Sequence, residues 1–468
     1  MSQSSGKECG ARRVMKPYGE TRRSRLAGAA MIVLLGVAPA WAAEPLTWQD
    51  CVGLAAEQNP DLVAAREQVA AAEAGTRVAR SALLPQLSVG GQAGHSEGGQ
   101  AGQTEEGHVR GDAAGQDPYG LTVGATQSLY SGGEKRANVR VAEATLIETE
   151  AGADLSAVET TYQVRTAFVN LLYTQEQTEL LRKIRDRRAN NSEMVELRYE
   201  GGLEHKGSLA LSQAALYEAD VDLKQAWRKA GTAQEVLRRA IGIREGATDL
   251  RIAGEIDGFQ VPDAVDTAEL ARRTPEYQQA IASRQGAEAE LKIARSGFLP
   301  SVDLDSSAGR YGDEGSFEND RWSVGLKLTF PFWPGGVNVH EYRKAKANLA
   351  EAEATVLGTE NTLVADLAQT LVDLSNAAED VLVQRRQLEA SELRAEISRE
   401  QYTNGLLGFE NWDIIENDLI AKRKRLLDAQ RDALLAEAAW WRKSGRSAFR
   451  TVPASPGLPG ARRGQESE

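Results

Sequence analysis

The chain is 468 residues long, 41% hydrophobic and 26% charged, with a formal charge of −12 and a mean hydropathy of −0.42. That length and apolar content exclude a disordered tail, and the acidic balance argues against a nucleic-acid partner. Aromatic residues make up only 6%, which suits long helices with narrow apolar stripes better than one thick core.

Residues 1–42 read as a signal peptide. Arg22, Arg23 and Arg25 precede an apolar run from Leu26 to Ala38, and Ala40-Trp41-Ala42 offers small residues at the spacing of a cleavage site. Met15 is an alternative start. The run is too short and too rich in Ala and Gly for a membrane anchor, and no later stretch approaches about eighteen apolar residues. Its removal takes away seven Lys/Arg and two Asp/Glu, so the exported chain is more acidic still. Cys9 leaves with it, and Cys51 remains as a lone thiol, which rules out an intrachain disulfide. Cys51 does not follow the apolar segment directly and is not read as a lipid-attachment site; burial in an Ala/Leu-rich helix is its expected fate.

A first repeat follows at 43–242. Asn59-Pro60-Asp61 opens a helix that ends in ARSALLP at 79–85, where Pro85 forces the chain out of helical geometry. A strand pair is expected over 86–130, from the alternation of Leu87, Val89, Gly91 and Ala93 and of Leu121, Val123, Ala125, Gln127 and Leu129. Between them, His95 to Pro118 is rich in Gly, Gln, Glu, Asp, Ala and Thr and reads as a mobile surface loop. A long helix over 133–199 and a return helix over 208–241 flank the tip Tyr199-Glu200-Gly201-Gly202-Leu203. At 1.5 Å per residue the long helix is a rod of roughly 100 Å.

After a Gly/Asp/Pro linker over 243–266, the same parts recur at 267–445. Thr274-Pro275-Glu276 opens a helix ending in ARSGFLP, and Pro300 stands 215 positions after Pro85. A strand pair over 301–333, a long helix over 336–402 and a return helix over 411–444 follow, with the tip Tyr402-Thr403-Asn404-Gly405-Leu406. The second return ends near Gly445, leaving the ARSALLP helix free to stack beyond it. Residues 446–468 read as a disordered tail. Aromatic residues at the strand ends, among them Tyr119, Tyr130, Phe298, Tyr311, Phe317, Trp322, Phe330, Phe332 and Trp333, fit an interfacial girdle, as they would the rim of a soluble sandwich.

The fold class is therefore α+β: an internally duplicated protomer with four strands of bilayer-spanning length and long coiled-coil-like helices. Four strands cannot close a barrel, and open edges in hydrocarbon leave backbone groups unpaired. Further copies have to complete it.

The helix-Leu-Pro-strand junctions (Leu84-Pro85, Leu299-Pro300), the Gly-Gly strand-to-helix junctions (132–133, 335–336) and the two Tyr-x-x-Gly-Leu tips together resemble the TolC-like outer-membrane efflux protein family. The resemblance frames residues 46–445. It implies a homotrimer in outer-membrane lipid, a twelve-stranded transmembrane β-barrel continued by a periplasmic α-helical coiled-coil barrel, and tips that meet a periplasmic adaptor joined to an inner-membrane transporter. In that family the return helix commonly carries an acidic residue six positions past the tip glycine; Ser208 and Asn411 stand there in this chain. Glu410, Asp413 and Glu416, spaced by three, are the candidate acidic ring of the periplasmic gate; the bland alternative is a set of solvated acids at a helix start. Gly202, Leu203, Gly405 and Leu406 are the candidate adaptor-docking tips, against a plain helix-turn-helix that requires no partner.

His95, His108, His205 and His340 show no metal-ligand spacing, and there is no nucleophile elbow or P-loop. No enzyme, metal or cofactor is expected. The leading expectation is a passive exit duct of a tripartite efflux or type I secretion system, opened by its adaptor and pump. The alternatives are a soluble exported coiled-coil scaffold and a stand-alone diffusion porin.

Overall fold

A computed structural model of the chain describes residues 45–93, 102–103, 109–110, 119–243, 250–263, 265–312 and 319–449. The signal peptide expected at 1–42, most of the 95–118 loop with His95 and His108, Phe317, and the tail beyond Phe449 lie outside the described residues.

Helix α1 (Trp48–Gln58) starts at a reciprocal capping box between Thr47 and Asp50. Asn59 then ends α1 and caps α2 (Pro60–Ser81), its side chain accepting from the Asp61 and Leu62 amides at 2.9 and 3.2 Å, with proline in the first helical turn. Strand β1 (Gln86–Ala93) follows Leu84-Pro85, then a two-residue pair β2 (Gly102–Gln103) and β3 (Val109–Arg110), then β4 (Tyr119–Ser131). Helices α3 (Glu134–Glu200) and α4 (Lys206–Ile241) form the first long hairpin. The second repeat supplies α5 (Thr267–Arg273), α6 (Pro275–Ser296), β5 (Ser301–Gly312), β6 (Asn319–Thr329), α7 (Val337–Thr403) and α8 (Phe409–Lys443). Pro275 pushes Thr274 into extended geometry, so α5 ends there and α6 begins.

Among the described residues eight glycines have positive φ, and they fall into pairs 203 positions apart: Gly132 and Gly335, Gly133 and Gly336, Gly202 and Gly405, Gly242 and Gly445. The duplication is thus written in the backbone, at the positions where only glycine takes the left-handed conformation without strain.

The four long strands form one antiparallel sheet in the order β1-β4-β5-β6. Its register pairs Leu87 with Ala125, Val89 with Val123, Val123 with Ala308, Leu304 with Leu326 and Val302 with Leu328. All of these stand on one face, and Leu87, Trp322, Val324, Leu326 and Leu328 on it are bare. The opposite face carries Ser88, Thr122, Asp303, Asp305 and Lys327, with the Thr126 hydroxyl donating to Asp305 at 3.0 Å. In this protomer β1 and β6 are each paired along one side only.

Helix α3 is central: α2 and α6 pack on its sheet-proximal half, α4 and α8 on its distal half, while α7 lies against α5, α6 and α8. The short helices stack end to end within a repeat. Gly242 at the end of α4 abuts Gln58 and Asn59, and the Asn59 side-chain Nδ2 donates to the Ala240 carbonyl at 2.9 Å. Gly445 at the end of α8 abuts Thr274 and Pro275. So α2 stacks on α4 and α6 on α8, which corrects the expectation that the ARSALLP helix continues beyond α8. Asn59 serves both helices at that junction, filling orphan groups of the next helix start and the previous helix end.

Beside that junction lies the largest apolar cluster, built from Cys51, Ala55, Leu62, Phe168, Leu171, Leu237, Ile241, Ile252 and Phe449. Burial pushes the Cys51 thiol up to about 12. The start of the expected disordered tail is ordered: Phe449 is buried in this cluster, and the Ala448 amide donates to the Thr161 hydroxyl at 3.0 Å. An isolated phenylalanine in a polar, Pro/Gly-rich stretch outweighs the composition around it when a core lies within reach.

Candidate functional site

The two hairpins end side by side. Each long helix stops at a glycine with φ near 70°, and the next residue's amide reaches five positions back: Leu203 to the Arg198 carbonyl and Leu406 to the Gln401 carbonyl, both at 2.8 Å. Leu203 and Leu406 stand 69% and 79% exposed at the apices. Pro85 and Pro300 mark the other end of the helical region, at the junctions with β1 and β5.

Just behind the apices the hairpins are joined by an aromatic and ionic cluster. Tyr402 is fully buried, stacked on Trp412 at 4.4 Å and edge-on to Phe409 at 6.3 Å. The Arg198 guanidinium lies 4.7 Å from the Tyr402 ring and donates to the Tyr402 and Thr403 carbonyls at 3.1 and 3.3 Å, placing a cation on the last turn of α7. The Tyr402 hydroxyl donates to Glu204 at 2.9 Å. Burial, then that bond, pushes the Tyr402 hydroxyl above the usual phenol range, so it stays a donor.

Further along α3 comes the acidic run. Arg187 grips Glu416 with two bonds of 2.6 Å, and Asn191 adds a third at 3.2 Å. The Glu416 side chain is 0% exposed, and its bond holds the Arg187 guanidinium still more firmly protonated. Arg188 meets Asp413 at 3.4 Å and also donates to Asn417, which itself donates to Asp413 at 2.8 Å. Glu410 is exposed and makes no ion pair among the described residues.

This divides the candidate acidic ring. At about 100° per residue a step of three falls roughly 60° short of a full turn, so Glu416 lies about 120° around α8 from Glu410. That rotation turns Glu416 into the α3 contact, where it is buried and neutralised. Glu410 alone of the three is open to solvent, and Asp413 is intermediate.

The ionic contact continues away from the tips. Tyr173 donates to Asp428 at 2.6 Å, and Arg165 bonds Glu437 at 3.0 Å. Thus α3 and α8 are joined by a ladder of polar ties, while Leu181 and Ile184 of α3 pack with Leu223 and Ala226 of α4 and with Ile420 of α8. Arg187, Arg188, Arg198 and Glu204 were not singled out from the sequence. The local signal for the first two was an adjacent arginine pair followed by Asn191 within a helix. His205 caps α4, and His340 is exposed near the start of α7.

The chain matches the outer membrane efflux protein family over residues 51–243 and 268–441. It is 27% identical over 359 residues to the protein CyaE of Bordetella pertussis, covering 72% of this chain and 71% of that one. It is 25% identical over 360 residues to the pyoverdine export outer membrane protein OpmQ of Pseudomonas aeruginosa, covering 74% of each. Among solved structures, that of CusC superposes with a TM-score of 0.77 at 18% identity, over 85% of this chain and 92% of that one. VceC of Vibrio cholerae superposes with a TM-score of 0.73 at 19% identity, over 85% and 96%. With the family model matched across both repeats, the chain belongs to the outer membrane efflux protein family.

Proposed function

We propose that three copies of this chain form the passive outer-membrane exit duct of a tripartite export system, opened from the periplasm by an adaptor and an inner-membrane pump. The observation that carries the reading is the sheet. One face is mainly apolar, with Leu87, Trp322, Val324, Leu326 and Leu328 bare on it, the other is polar, and both edges have unpaired backbone. In hydrocarbon such edges cost several kcal/mol per unpaired group, so closure with neighbouring copies is required. The polar face then lines the lumen. Family membership supports this over the soluble scaffold and the stand-alone porin.

The α3–α8 ladder serves as the clasp of the gate. The α7–α8 hairpin is held internally by two apolar clusters with Arg423–Glu392 and Lys443–Asp366 at their edge, and is tied to α3 by directional ion pairs that can exchange partners, so it swings as a unit. Glu410, with Asp413 behind it, supplies negative charge at the mouth when repeated around the trimer, while Glu416 keeps the clasp shut. Leu203 and Leu406, set on their Gly202 and Gly405 turns, present apolar knobs to the adaptor. Cargo choice rests with the pump.

The test is reconstitution in planar bilayers after recovery from the outer-membrane fraction. Heat-modifiable trimers with rare, small openings support the duct. A detergent-free soluble monomer refutes it, and large steady conductance without adaptor identifies the porin instead.

A further inference from the structure

One side chain near the tips is used in an unusual way. His205 is the N-cap of α4, and its Nδ1 accepts from the Gly207 and Ser208 amides at 3.0 and 3.3 Å. Gly207 is shaped to this arrangement: a methyl there would lie 2.9 Å from both Nδ1 and Cε1 of the ring. With Nδ1 accepting, the neutral ring carries its proton on Nε2, which faces the Ser208 hydroxyl at 3.2 Å. Ser208, buried, donates to Glu204 at 3.1 Å, and the other oxygen of Glu204 receives the Tyr402 hydroxyl from the second hairpin. One chain of bonds therefore runs from an exposed imidazole to the contact between the hairpins. The second repeat has Gly408 at the matching place, with no side-chain cap.

We propose that His205 makes the tie between the two hairpin tips acid-sensitive, its neutral ring holding Glu204 in position for Tyr402 and its protonated ring releasing it. The inference rests on the gated-duct reading and adds its regulation by protons. An imidazolium has two N–H groups and no acceptor, so both cap bonds are lost together, and its charge opposes the positive end of α4. The groups around it act in the same sense. Glu204 draws the cation and thereby leaves Tyr402, while Lys206 on the same turn and Arg198 reaching over Tyr402 from α3 oppose a cation staying in place. An exterior acid enough to charge an imidazole thus loosens the tips before any partner arrives.

The reconstituted trimer tests this by comparing about pH 7.5 with about pH 5. Wild type is expected to raise its open probability about fivefold on acidification, the worth of one helix cap. His205→Asn, which caps without titrating, is expected to stay flat, and Gly207→Ala to be open already at the higher pH. An equal acid response in His205→Asn, or none in wild type, overturns the proposal. Hydrogen exchange over residues 204–210 of the detergent-solubilised trimer, corrected for intrinsic rates, reads the cap without a pore. Protection lost on acidification in wild type and kept in His205→Asn upholds the cap chemistry even where no conductance is found, in which case the duct reading has failed. Unchanged protection in wild type refutes the acid-sensitive cap itself.

Discussion

The contacts inside each hairpin differ in balance from the contact between the hairpins. Within α3–α4 the buried packing is Leu181, Ile184, Leu223 and Ala226, with the more exposed pair Arg185–Asp220 at its edge; within α7–α8 it is Val381 with Ala429 and Ala433, and Ala395 with Ile415 and Leu419, with Arg423–Glu392 and Lys443–Asp366 at its edge. Between α3 and α8, Ile420 joins the first of these groups and Val195 meets Trp412, but the more buried ion pairs also lie here, Arg187–Glu416, Arg188–Asp413 and Arg165–Glu437, with the Tyr173–Asp428 hydrogen bond beside them. Apolar packing is non-directional and lost only with exposure to water, so it makes each hairpin a lasting unit. Ion pairs are directional and exchange partners, and a buried pair gives little net stability while strongly specifying one arrangement. The difference assigns permanence to the hairpins and reversibility to the line between them.

The sharpest way to break this contrast is to remove one half of its most buried pair. Glu416→Ala leaves Arg187 half-buried and uncompensated, at a cost of about 3 kcal/mol, and is expected both to lower the melting temperature in detergent and to raise single-channel opening. Opening unchanged would place the gate elsewhere. Leu419→Ala, at a fully buried position of the α7–α8 contact, is expected to cost about 2–4 kcal/mol of stability in a thermal melt with no gain in opening. Should it open the pore as Glu416→Ala does, the two kinds of contact are not functionally distinct.

The paired glycines offer a finer test. A methyl at Gly242 would come within 2.5 Å of the Gln58 carbonyl oxygen, whereas one at Gly202 meets nothing within 4 Å, and both have positive φ. Gly202→Ala is expected to cost about 1 kcal/mol, and Gly242→Ala about 2–3 kcal/mol because the α4–α2 stack must also shift. Denaturant melts of the two variants measure the gap.

The smallest effect separates the fold from the clasp in pH dependence. Burial raises the carboxyls of Glu150 and Asp154 on α3 above the usual range, with Glu73 adding to Glu150. The native state then binds more protons than the unfolded chain, so stability rises as pH falls through the raised native value, and the gain is complete below the unfolded one. Asp154→Asn is expected to raise the melting temperature at neutral pH by about 2 °C and to flatten this rise, without changing the acid response of the pore.

Much of this architecture was legible because its signals are local. Pro85 and Pro300 end helices by their own sterics, Gly132-Gly133 and Gly335-Gly336 turn strand into helix, and alternation over Leu121, Val123 and Ala125 marks a face. The clasp was not legible. Arg187 and Glu416 are 229 positions apart, and which face of α8 meets α3 is decided by the packing of whole hairpins. Grouping Glu410, Asp413 and Glu416 in one candidate acidic ring on their spacing of three overlooked the drift of that repeat around the helix. The stacking of α2 on α4 was missed for a related reason: Asn59 is a good cap for its own helix, and nothing in the sequence marks its amide as serving a second one.

The bare edges of the sheet have a genetic consequence. A subunit offers β1 to one neighbour and β6 to the other, so each ring needs every copy sound on both sides. When damaged and intact alleles are expressed equally and mix at random, only about one ring in eight is free of the damaged copy. Lesions that spoil one edge while sparing the helices should therefore behave as dominant, and deletions of the whole chain as recessive.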